Sequence, residues 1–446
     1  MKFYDRDEEL KALDQAASSK TSALIVISGR RRVGKTRLIN EFLKDRESLQ
    51  IMIVPKEDSQ VASDFEELFS KKGFKPNFPS VRNALEYFFT VAEDRILFID
   101  EFANTLEVNK SIPFELQRLW DENRERNKVL ILSGSYSSMM DKIFTRRKAP
   151  LFNRADLKIL LKPMKPPYVW KMLDEIGIID PVERISRFCI FGGIPYYYEL
   201  MERFKGYEPI SELFFGIGQL SEEGQDILRQ EFGSGYRKYF AILEAIGAGL
   251  CSAGEISAKL GMKQTTISKY IQALQADFKL VERQVPFGEN PKRSKKGRYI
   301  VKDNLLSFWF SFVYGRHLPP RDSELSEFVS RRFELLSEEF LINWLSAHGD
   351  QVVRSGRWWG IVETGNGKFE QREIDIIVET ETHLYVGECK WSSSKMGQKE
   401  LAWLRQSASK LKTKKNIRWV LFSKSGFSIS ESNDVLLFDP SKMVEE

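Results

Sequence analysis

Apolar residues in the first third of the chain fall in short unbroken blocks. Leu24-Ile25-Val26-Ile27, Ile51 to Val54, Arg95 to Phe102 around Ile96-Leu97-Phe98-Ile99, and Val129-Leu130-Ile131-Leu132 are bounded by polar residues or glycine. Blocks this short, with no alternation, predict strands buried on both faces, as in a parallel sheet. Between them, Leu38, Ile39 and Phe42, then Phe65 to Phe69, Val81 to Phe89 and Glu115 to Glu125, keep apolar residues at helical spacing. Leu10 and Leu13 mark a short first helix. Strands alternating with helices predict an α/β sheet domain.

From Tyr236 the period changes. Tyr239 to Gly247, Ser252 to Leu260 (stopped by Gly261) and Gln264 to Leu274 read as three short helices, and Leu280 to Val285 with Arg298 to Val301 as a hairpin. Ile256, Leu260, Ile267, Ile271 and Leu274 give a helix-turn-helix core, so the segment predicts a winged helix. Asp303 to Phe310 is too aromatic to be exposed and is expected to dock this unit onto the C-terminal part of the chain. His317 to Arg321, with two prolines, reads as a linker. Beyond it come an amphipathic helix, Phe333 to Leu345, and strands near Gln351 to Arg354, Glu373 to Glu379 and His383 to Trp391.

Composition narrows the class. A chain of 446 residues has room for about three domains. Its 42% hydrophobic and 29% charged residues suit a soluble globular protein. A net charge of +5 does not mark the whole chain as a nucleic-acid binder, so a basic surface must be local. Cys189, Cys251 and Cys389 are far apart and fit no metal-ligand spacing, which points to a reducing compartment. Met1 to Leu10 is charged and unlike a signal peptide, and no apolar run reaches membrane-spanning length. A cytoplasmic protein without a membrane partner is expected.

The chemistry starts at Gly29-Arg30-Arg31-Arg32-Val33-Gly34-Lys35-Thr36, between the first strand and a helix opening at Lys35. It fits G-x-x-x-x-G-K-[ST]. Glycines at both ends let backbone N–H groups curl around a phosphate, and the helix N-terminus adds positive charge. Gly29 through Arg37 are therefore candidate ATP contacts, with Lys35 on the β- and γ-phosphates and the Thr36 hydroxyl on Mg²⁺. The run Arg30-Arg31-Arg32 admits phosphates, a neighbouring subunit or solvent as partners.

Asp100-Glu101 ends a buried strand, at the sheet edge where α/β proteins place ligands. Asp100 suits Mg²⁺ binding, and Glu101 suits polarising the attacking water. Ser135, at the tip Ser133-Gly134-Ser135, is a candidate sensor of the γ-phosphate or water. Arg154 is a candidate arginine finger. A finger acting in trans would need a homo-oligomer.

These motifs, with Leu151-Phe152-Asn153-Arg154 and Phe191-Gly192-Gly193-Ile194-Pro195-Tyr196-Tyr197, resemble the archaeal-type ATPase family of AAA+/STAND-like P-loop ATPases. The resemblance spans roughly the first half of the chain and implies a helical lid carrying the Gly-Gly-Ile-Pro signature. One departure is Asn153, where the family more often has glycine. Read from the residues, Gly192 and Gly193 stop one helix and Pro195 starts the next.

In the winged helix, Gln264, Thr265, Thr266, Ser268 and Lys269 face outward and are types that touch bases and phosphates. Lys292, Arg293, Lys295 and Lys296 make the hairpin loop a local basic patch. DNA is thus a candidate partner.

Further on, strand alternation puts Glu373 and Asp375 on one face, and Glu388 and Lys390 on one face of the next strand. As hairpin neighbours these strands would bring Asp375, Glu388 and Lys390 together. The two carboxylates could then share one Mg²⁺, and the lysine would position or deprotonate water. The arrangement resembles the PD-(D/E)xK nuclease superfamily, in the domain of unknown function that often follows the archaeal-type ATPase. Glu334 resembles the acid on that fold's first helix. The proline often preceding the metal-binding aspartate is replaced by Ile374.

The expected architecture is a P-loop ATPase core over 1–160, a helical lid over 161–233, a winged helix over 234–316 and a small α/β restriction-endonuclease-like domain over 322–446. The expected function is a Mg²⁺-dependent ATPase coupled to DNA binding or cleavage. The alternative is a nucleotide-switched regulatory or scaffolding protein whose nuclease-like domain is inactive.

Overall fold

A computed structural model describes residues 2–70, 76–135, 137–203, 209–216, 220–232, 235–316, 318–365 and 368–445. It groups into two compact units. One comprises Lys2–Lys165 with Gly193–Tyr197, the other Pro166–Gly192 with Tyr198–Glu446. His317, in the expected linker, lies outside the described residues.

The first unit is built on a parallel sheet of β1 (Ala23–Gly29), β2 (Leu49–Met52), β3 (Ile96–Asp100), β4 (Val129–Gly134) and β5 (Leu157–Leu161). The strands lie side by side in the order β2-β3-β4-β1-β5. Every residue of β3 and β4 is buried, which is why these strands read as unbroken apolar blocks. Helices Asp58–Ser70, Val81–Thr90 and Ile112–Glu122 bring Phe65, Phe88, Phe89, Leu116 and Trp120 against Leu24, Leu97 and Leu130. Each such side chain contributes about 1.5–3 kcal/mol on burial. Because β4 lies between β1 and β3, the loop after β1 and the acids after β3 meet across the end of β4.

Two boundaries differ from the pattern. The second strand is Leu49–Met52, not Ile51 to Val54. Ile53 is buried and donates to the Asp100 carbonyl at 3.0 Å, so its apolar character reflects core packing beyond the strand. The helix expected over Glu115 to Glu125 is Ile112–Glu122. Pro113 lies in its first turn, where a missing N–H costs nothing, and the chain leaves the helix at Asn123.

In the second unit, helix Pro181–Phe191 is capped by the Asp180 carboxylate, which accepts from Glu183 N at 2.7 Å. Gly192, at φ +61°, ends it; Pro195, in the Gly193–Tyr197 stretch grouped with the first unit, opens the helix Pro195–Arg203, as the Gly-Gly-Ile-Pro stretch predicts. Helices Tyr236–Gly247, Ala253–Leu260 and Gln264–Ala276 bury Ile256, Ile267, Ile271 and Leu274. Ser252 and Glu255 form a capping box, and Gly261 closes the second helix at φ +62°. An antiparallel pair, β6 (Val281–Gln284) and β7 (Arg298–Val301), comes next. The aromatic block forms helix Asn304–Phe308 and a π-turn over Trp309–Val313, both buried.

The C-terminal sheet contains β8 (Val352–Gly365), β9 (Lys368–Thr380), β10 (His383–Lys390), β11 (Asn416–Ser423) and β12 (Val435–Phe438), in the order β12-β11-β10-β9-β8. β8, β9 and β10 are antiparallel neighbours, whereas β10, β11 and β12 run parallel. Helix Gln398–Ala408 covers one face through Leu401 and Leu404. The amphipathic helix starts at Asp322, eleven residues before Phe333, and runs to Ala347. Its first turns bury Phe328 and Val329. β8 and β9 also extend well beyond the expected strands. The start of β9 is exposed over Lys368 to Gln371, Phe369 included, so burial leaves no alternating signature there, and β8 is interrupted by register shifts. Among the described residues, no helix is long and apolar enough to cross a membrane.

Candidate phosphate loop and carboxylate cluster

At the phosphate loop, a Cβ on Gly29 would stand 2.6 Å from the Leu161 carbonyl oxygen. Gly34, at φ +99°, occupies a conformation that side chains rarely adopt. Only glycine lets the backbone curl as phosphate binding requires. Helix Lys35–Leu43 begins immediately after it, with Leu38 N donating to Gly34 O at 2.9 Å. Val33 is buried beneath the loop and supports it from within.

Lys35 is buried, and its Nζ donates to Gly29 O (3.1 Å), Arg30 O (3.2 Å) and Ser135 Oγ (2.9 Å). Thr36 Oγ1 donates to Asp100 Oδ2 at 2.7 Å. The other Asp100 oxygen accepts from the Ser133 hydroxyl. Glu101 takes a left-handed φ of +50°, which turns its carboxylate back toward the strand ends. There it accepts from Ser135 N at 3.1 Å and from the Ser135 hydroxyl. Lys35, Thr36, Asp100, Glu101 and Ser135 are therefore assembled as one hydrogen-bonded group. Ser133 is an addition. It was visible only as part of the Ser-Gly-Ser tip, and its partner follows from β4 lying between β1 and β3.

The arginine run has partners in the Gly-Gly-Ile-Pro stretch. The Arg32 guanidinium lies 4.0 Å from the centre of the Tyr196 ring, and Arg30 Nη2 reaches Tyr197 Oη at 3.4 Å. None of Arg30, Arg31 and Arg32 is fully exposed, so solvent is not the main surrounding of any of them. Arg37 turns away and donates to Lys2 O at 3.1 Å.

Arg154 is not part of the group. It donates through Nε and Nη2 to Asp121, each at 2.8 Å, and through Nη1 to Pro150 O at 3.3 Å. Asn153 sits at φ +57°, a left-handed position. Asparagine tolerates that region better than most residues, which accounts for its presence where glycine is usual in the resembling family.

The second cluster lies on β9 and β10. Their register pairs Gly387 with Ile376, and one step further places Glu388 opposite Asp375. Asp375 Oδ2 accepts from Cys389 N at 3.0 Å. Glu334, on helix Asp322–Ala347, accepts from Arg357 Nη1 at 2.6 Å. Burial, reinforced by Asp375, pushes the Glu334 carboxyl up to about 7. Glu388 lies well above the carboxylate range through burial and the repulsion of Asp375, with Lys390 opposing and Glu334 adding. Asp375 is raised by burial, against the Cys389 N–H and Arg357. Asp375, Glu388, Lys390 and Glu334 are thus near enough for their charges to act on one another. Glu388 Oε2 is buried without a hydrogen bond. Among the described residues, no three carboxylate, histidine or cysteine side chains are grouped to hold a metal by themselves.

Arg357 was missed because it lies in the part of β8 beyond the expected strand. The loop between β6 and β7 meets this strand through Phe287 N, which donates to Arg357 O at 2.6 Å. In that loop, Lys292 and Arg293 are exposed, and Lys296 is paired with Glu289 at 2.8 Å. Gln264, Thr265 and Lys269 are exposed on their helix and Thr266 is half-buried.

Comparison with known proteins matches residues 3–201 to an ATPase domain predominantly from Archaea, and residues 320–401 to a family of archaeal and bacterial proteins of unknown function. An uncharacterised protein of Methanocaldococcus jannaschii is 30% identical over 417 residues, covering 88% of each chain. An uncharacterised ATP-binding protein of the same organism is 46% identical over 44 residues, 10% of this chain and 75% of that one. The solved Walker-type ATPase of Pyrococcus abyssi superposes with a TM-score of 0.52 at 18% identity, over 70% of this chain and 96% of its own. That last likeness is one of fold.

Proposed function

The chain belongs to the ATPase family found predominantly in Archaea, and from that premise we propose that its ATP hydrolysis is Mg²⁺-dependent and coupled to DNA binding and cleavage by the second unit. The observation that carries the cleavage reading is the grouping of half-buried Glu334, Asp375 and Glu388 with Lys390, in which Asp375 Oδ2 accepts from Cys389 N at 3.0 Å and Glu334 from Arg357 Nη1 at 2.6 Å.

In the first unit, a bound γ-phosphate takes the place of the Gly29 and Arg30 carbonyls and of Ser135 as partner of Lys35 Nζ. Glu101, held by Ser135, is the base that orients and deprotonates the attacking water. The hydroxyl of Thr36 and the carboxylate of Asp100, 2.7 Å apart, are hard oxygen donors of the kind Mg²⁺ prefers. That ion, when bound, neutralises charge developing on the β- and γ-phosphates. Gly29 through Thr36 cradle the triphosphate. Arg30 and Arg32, stacked on Tyr197 and Tyr196, tie the cradle to the Gly-Gly-Ile-Pro element.

In the second unit, the three helices and β6–β7 hairpin are a winged helix. Gln264, Thr265, Thr266 and Lys269 face the groove, and Lys292 and Arg293 reach the backbone. The C-terminal sheet with helix Asp322–Ala347 is a PD-(D/E)xK-type domain. Asp375 and Glu388 suit a hard divalent cation, since two buried carboxylates close to each other are stabilised by positive charge between them. Lys390 orients the hydrolytic water.

The test is incubation with linear, nicked, supercoiled and single-stranded DNA in Mg²⁺ or Mn²⁺, with ATP, ADP or no nucleotide, for the wild type and Glu388→Ala. Cleavage lost in the variant supports the reading. A wild type that cuts nothing in any nucleotide state sinks it and leaves the second unit a binding module.

A further inference from the structure

A cavity of about 600 Å³ opens in the second unit between the wing strand β7, the π-turn, helix Asp322–Ala347 and the β8–β9 hairpin. Arg298, Tyr299, Arg332 and Arg357 line it, and Glu334 and Glu373 stand at its carboxylate end. Its walls are cross-linked. Arg298, from the wing, donates to Glu373 on β9 at 2.7 Å and lies 4.5 Å from the Trp359 ring centre. Pro286 pairs with Arg357 as an isolated bridge.

Two guanidiniums in this wall have spare capacity. Arg332 uses its Nη atoms on the carbonyls of Val301 (2.9 Å) and Lys302 (2.7 Å) and on the Asn304 side chain, none of which neutralises it. Its Nε is buried with no hydrogen-bond partner. Arg357 donates from Nη1 to Glu334, while its Nε and Nη2 are buried with no hydrogen-bond partner. A guanidinium presents its donors as a planar fork that matches two oxygens of one phosphate. Tyr299 adds an aromatic edge, the other element of single-strand binding sites.

We propose that this cavity takes up a single nucleic-acid strand and that Arg357 anchors the phosphate next to the Glu334–Asp375–Glu388 cluster. The assignment rests on the nuclease-like reading of that cluster and adds its substrate class: a single strand or a frayed end, not paired duplex. The volume is that of a small-ligand pocket, which admits unpaired nucleotides but not two stacked strands. The Glu334–Arg357 ion pair is then the resting contact that an incoming phosphate replaces. The wing, bonded to the backbone of Arg357 itself, forms the wall that guides the strand.

The test uses the full chain in EDTA, so that binding is read without turnover. Fluorescent single-stranded DNA, the blunt duplex of the same sequence and a duplex with an overhang are titrated against wild type, Arg357→Ala, Arg357→Lys and Glu334→Gln. The single strand and overhang are expected to bind about tenfold or more tightly than the blunt duplex, and Arg357→Ala to remove about that advantage. Arg357→Lys restores only part of it, because the fork is lost. Glu334→Gln frees Arg357 and tightens single-strand binding, a gain that a purely structural ion pair would not give. An unchanged single-strand affinity in Arg357→Ala overturns the proposal, as does a blunt-duplex affinity that falls as far in that variant as the single-strand affinity. Should Arg357→Ala melt early, Glu334→Gln decides, and no tightening there overturns it. Displacement of the strand by a free mononucleotide as effectively as by a dinucleotide would also overturn it. Strand binding that depends on Arg357, without cleavage in Mg²⁺ or Mn²⁺, keeps the cavity assignment and sinks the nuclease reading. Cleavage of blunt duplex that ignores Arg357→Ala does the reverse.

Discussion

Lys35 Nζ donates to Ser135 Oγ at 2.9 Å, and the same hydroxyl donates to Glu101. One serine thus joins the lysine that would meet the phosphate to the acid that would meet the water. A phosphate drawing Lys35 away changes the hydrogen bonding of Ser135, and through it the position of Glu101. Ser135→Ala should therefore lower kcat by about tenfold to a hundredfold while leaving ATP affinity within about threefold, because the lost contact acts on the base. Ser135→Thr, which keeps the hydroxyl, should recover much of the rate. Steady-state ATPase kinetics with fluorescent-nucleotide binding separate the two effects, and an equal loss in affinity would contradict the relay.

Removing the base and removing the phosphate ligand should have different signatures. Glu101→Gln should cut turnover by about a hundredfold or more and still bind ATP. Lys35→Ala should lose both binding and hydrolysis. EDTA should silence the wild type, and Asp100→Asn should raise the Mg²⁺ concentration needed for half-maximal rate, since Asp100 and Thr36 form the donor pair. A Glu101→Gln protein that turns over normally would remove Glu101 from the mechanism.

Much of this site was legible in the sequence because its motifs are local. Gly29 to Thr36 is one continuous loop, and Asp100 ends a run of apolar residues whose burial on both faces left no other reading. What could not be read was sideways order. That Ser133 would bond Asp100 follows only from β4 lying between β1 and β3, and strand order leaves no trace in hydropathy. The same holds in the C-terminal sheet. Alternation placed Asp375, Glu388 and Lys390, but Arg357 sits at a register shift of β8, between Gly356 and Trp358, where alternation breaks. Arg154 is a different case. Its pairing with Asp121, on helix Ile112–Glu122, is set by how that helix packs and leaves no mark in the local sequence.

The buried carboxylates fix a pH dependence of stability. Glu334 titrates near 7 when folded against an ordinary value of 4.5, so between those values the folded state binds more protons than the unfolded state. Stability then falls as pH rises through this window, and the loss is complete above the folded value. The raised values of Asp375 and Glu388 act in the same direction. Thermal melts of the full chain from pH 5 to pH 8 should show the midpoint falling by several degrees, and Mg²⁺ or Mn²⁺ at pH 8 should restore part of it. Glu388→Gln should flatten this fall by removing one of the raised carboxyls, and should blunt the response to cation. A Glu388→Gln protein whose midpoint falls with pH as steeply as that of the wild type would contradict the account.

Asn153 tests backbone strain next to Arg154. At φ +57° a β-branched residue costs about 1–2 kcal/mol more than one suited to the left-handed region. Asn153→Val should destabilise the first unit by about that amount, visible as a lower denaturation midpoint with unchanged slope. Asn153→Gly should be within about 1 kcal/mol of wild type. Equal stability of the two variants would mean that the turn relaxes.

The loop between β6 and β7 offers the last and most direct test of the proposed DNA role. Lys292 and Arg293 are exposed, whereas Lys296 is tied to Glu289 and the Arg283 guanidinium is used inside the hairpin on the carbonyls of Pro291 and Ser294. Among the described residues, the charged ends of these first two cations have no hydrogen-bond or ion-pair partner, so they are the ones the proposed reading sets against a phosphate backbone. Each phosphate contact releases counterion, so affinity for duplex DNA should fall steeply with salt. Lys292→Ala with Arg293→Ala should weaken duplex binding about equally for every sequence and reduce the slope of log affinity against log salt by about two, roughly one for each lost contact. Lys296→Ala should change the slope less, because its charge is already compensated. Gln264→Ala and Thr265→Ala, on the exposed face of the helix, should instead alter discrimination between sequences and leave the salt slope in place. Fluorescence anisotropy across a salt series measures both quantities in one experiment. A slope unmoved by the double variant would take the wing off the DNA and assign its basic loop to solvent.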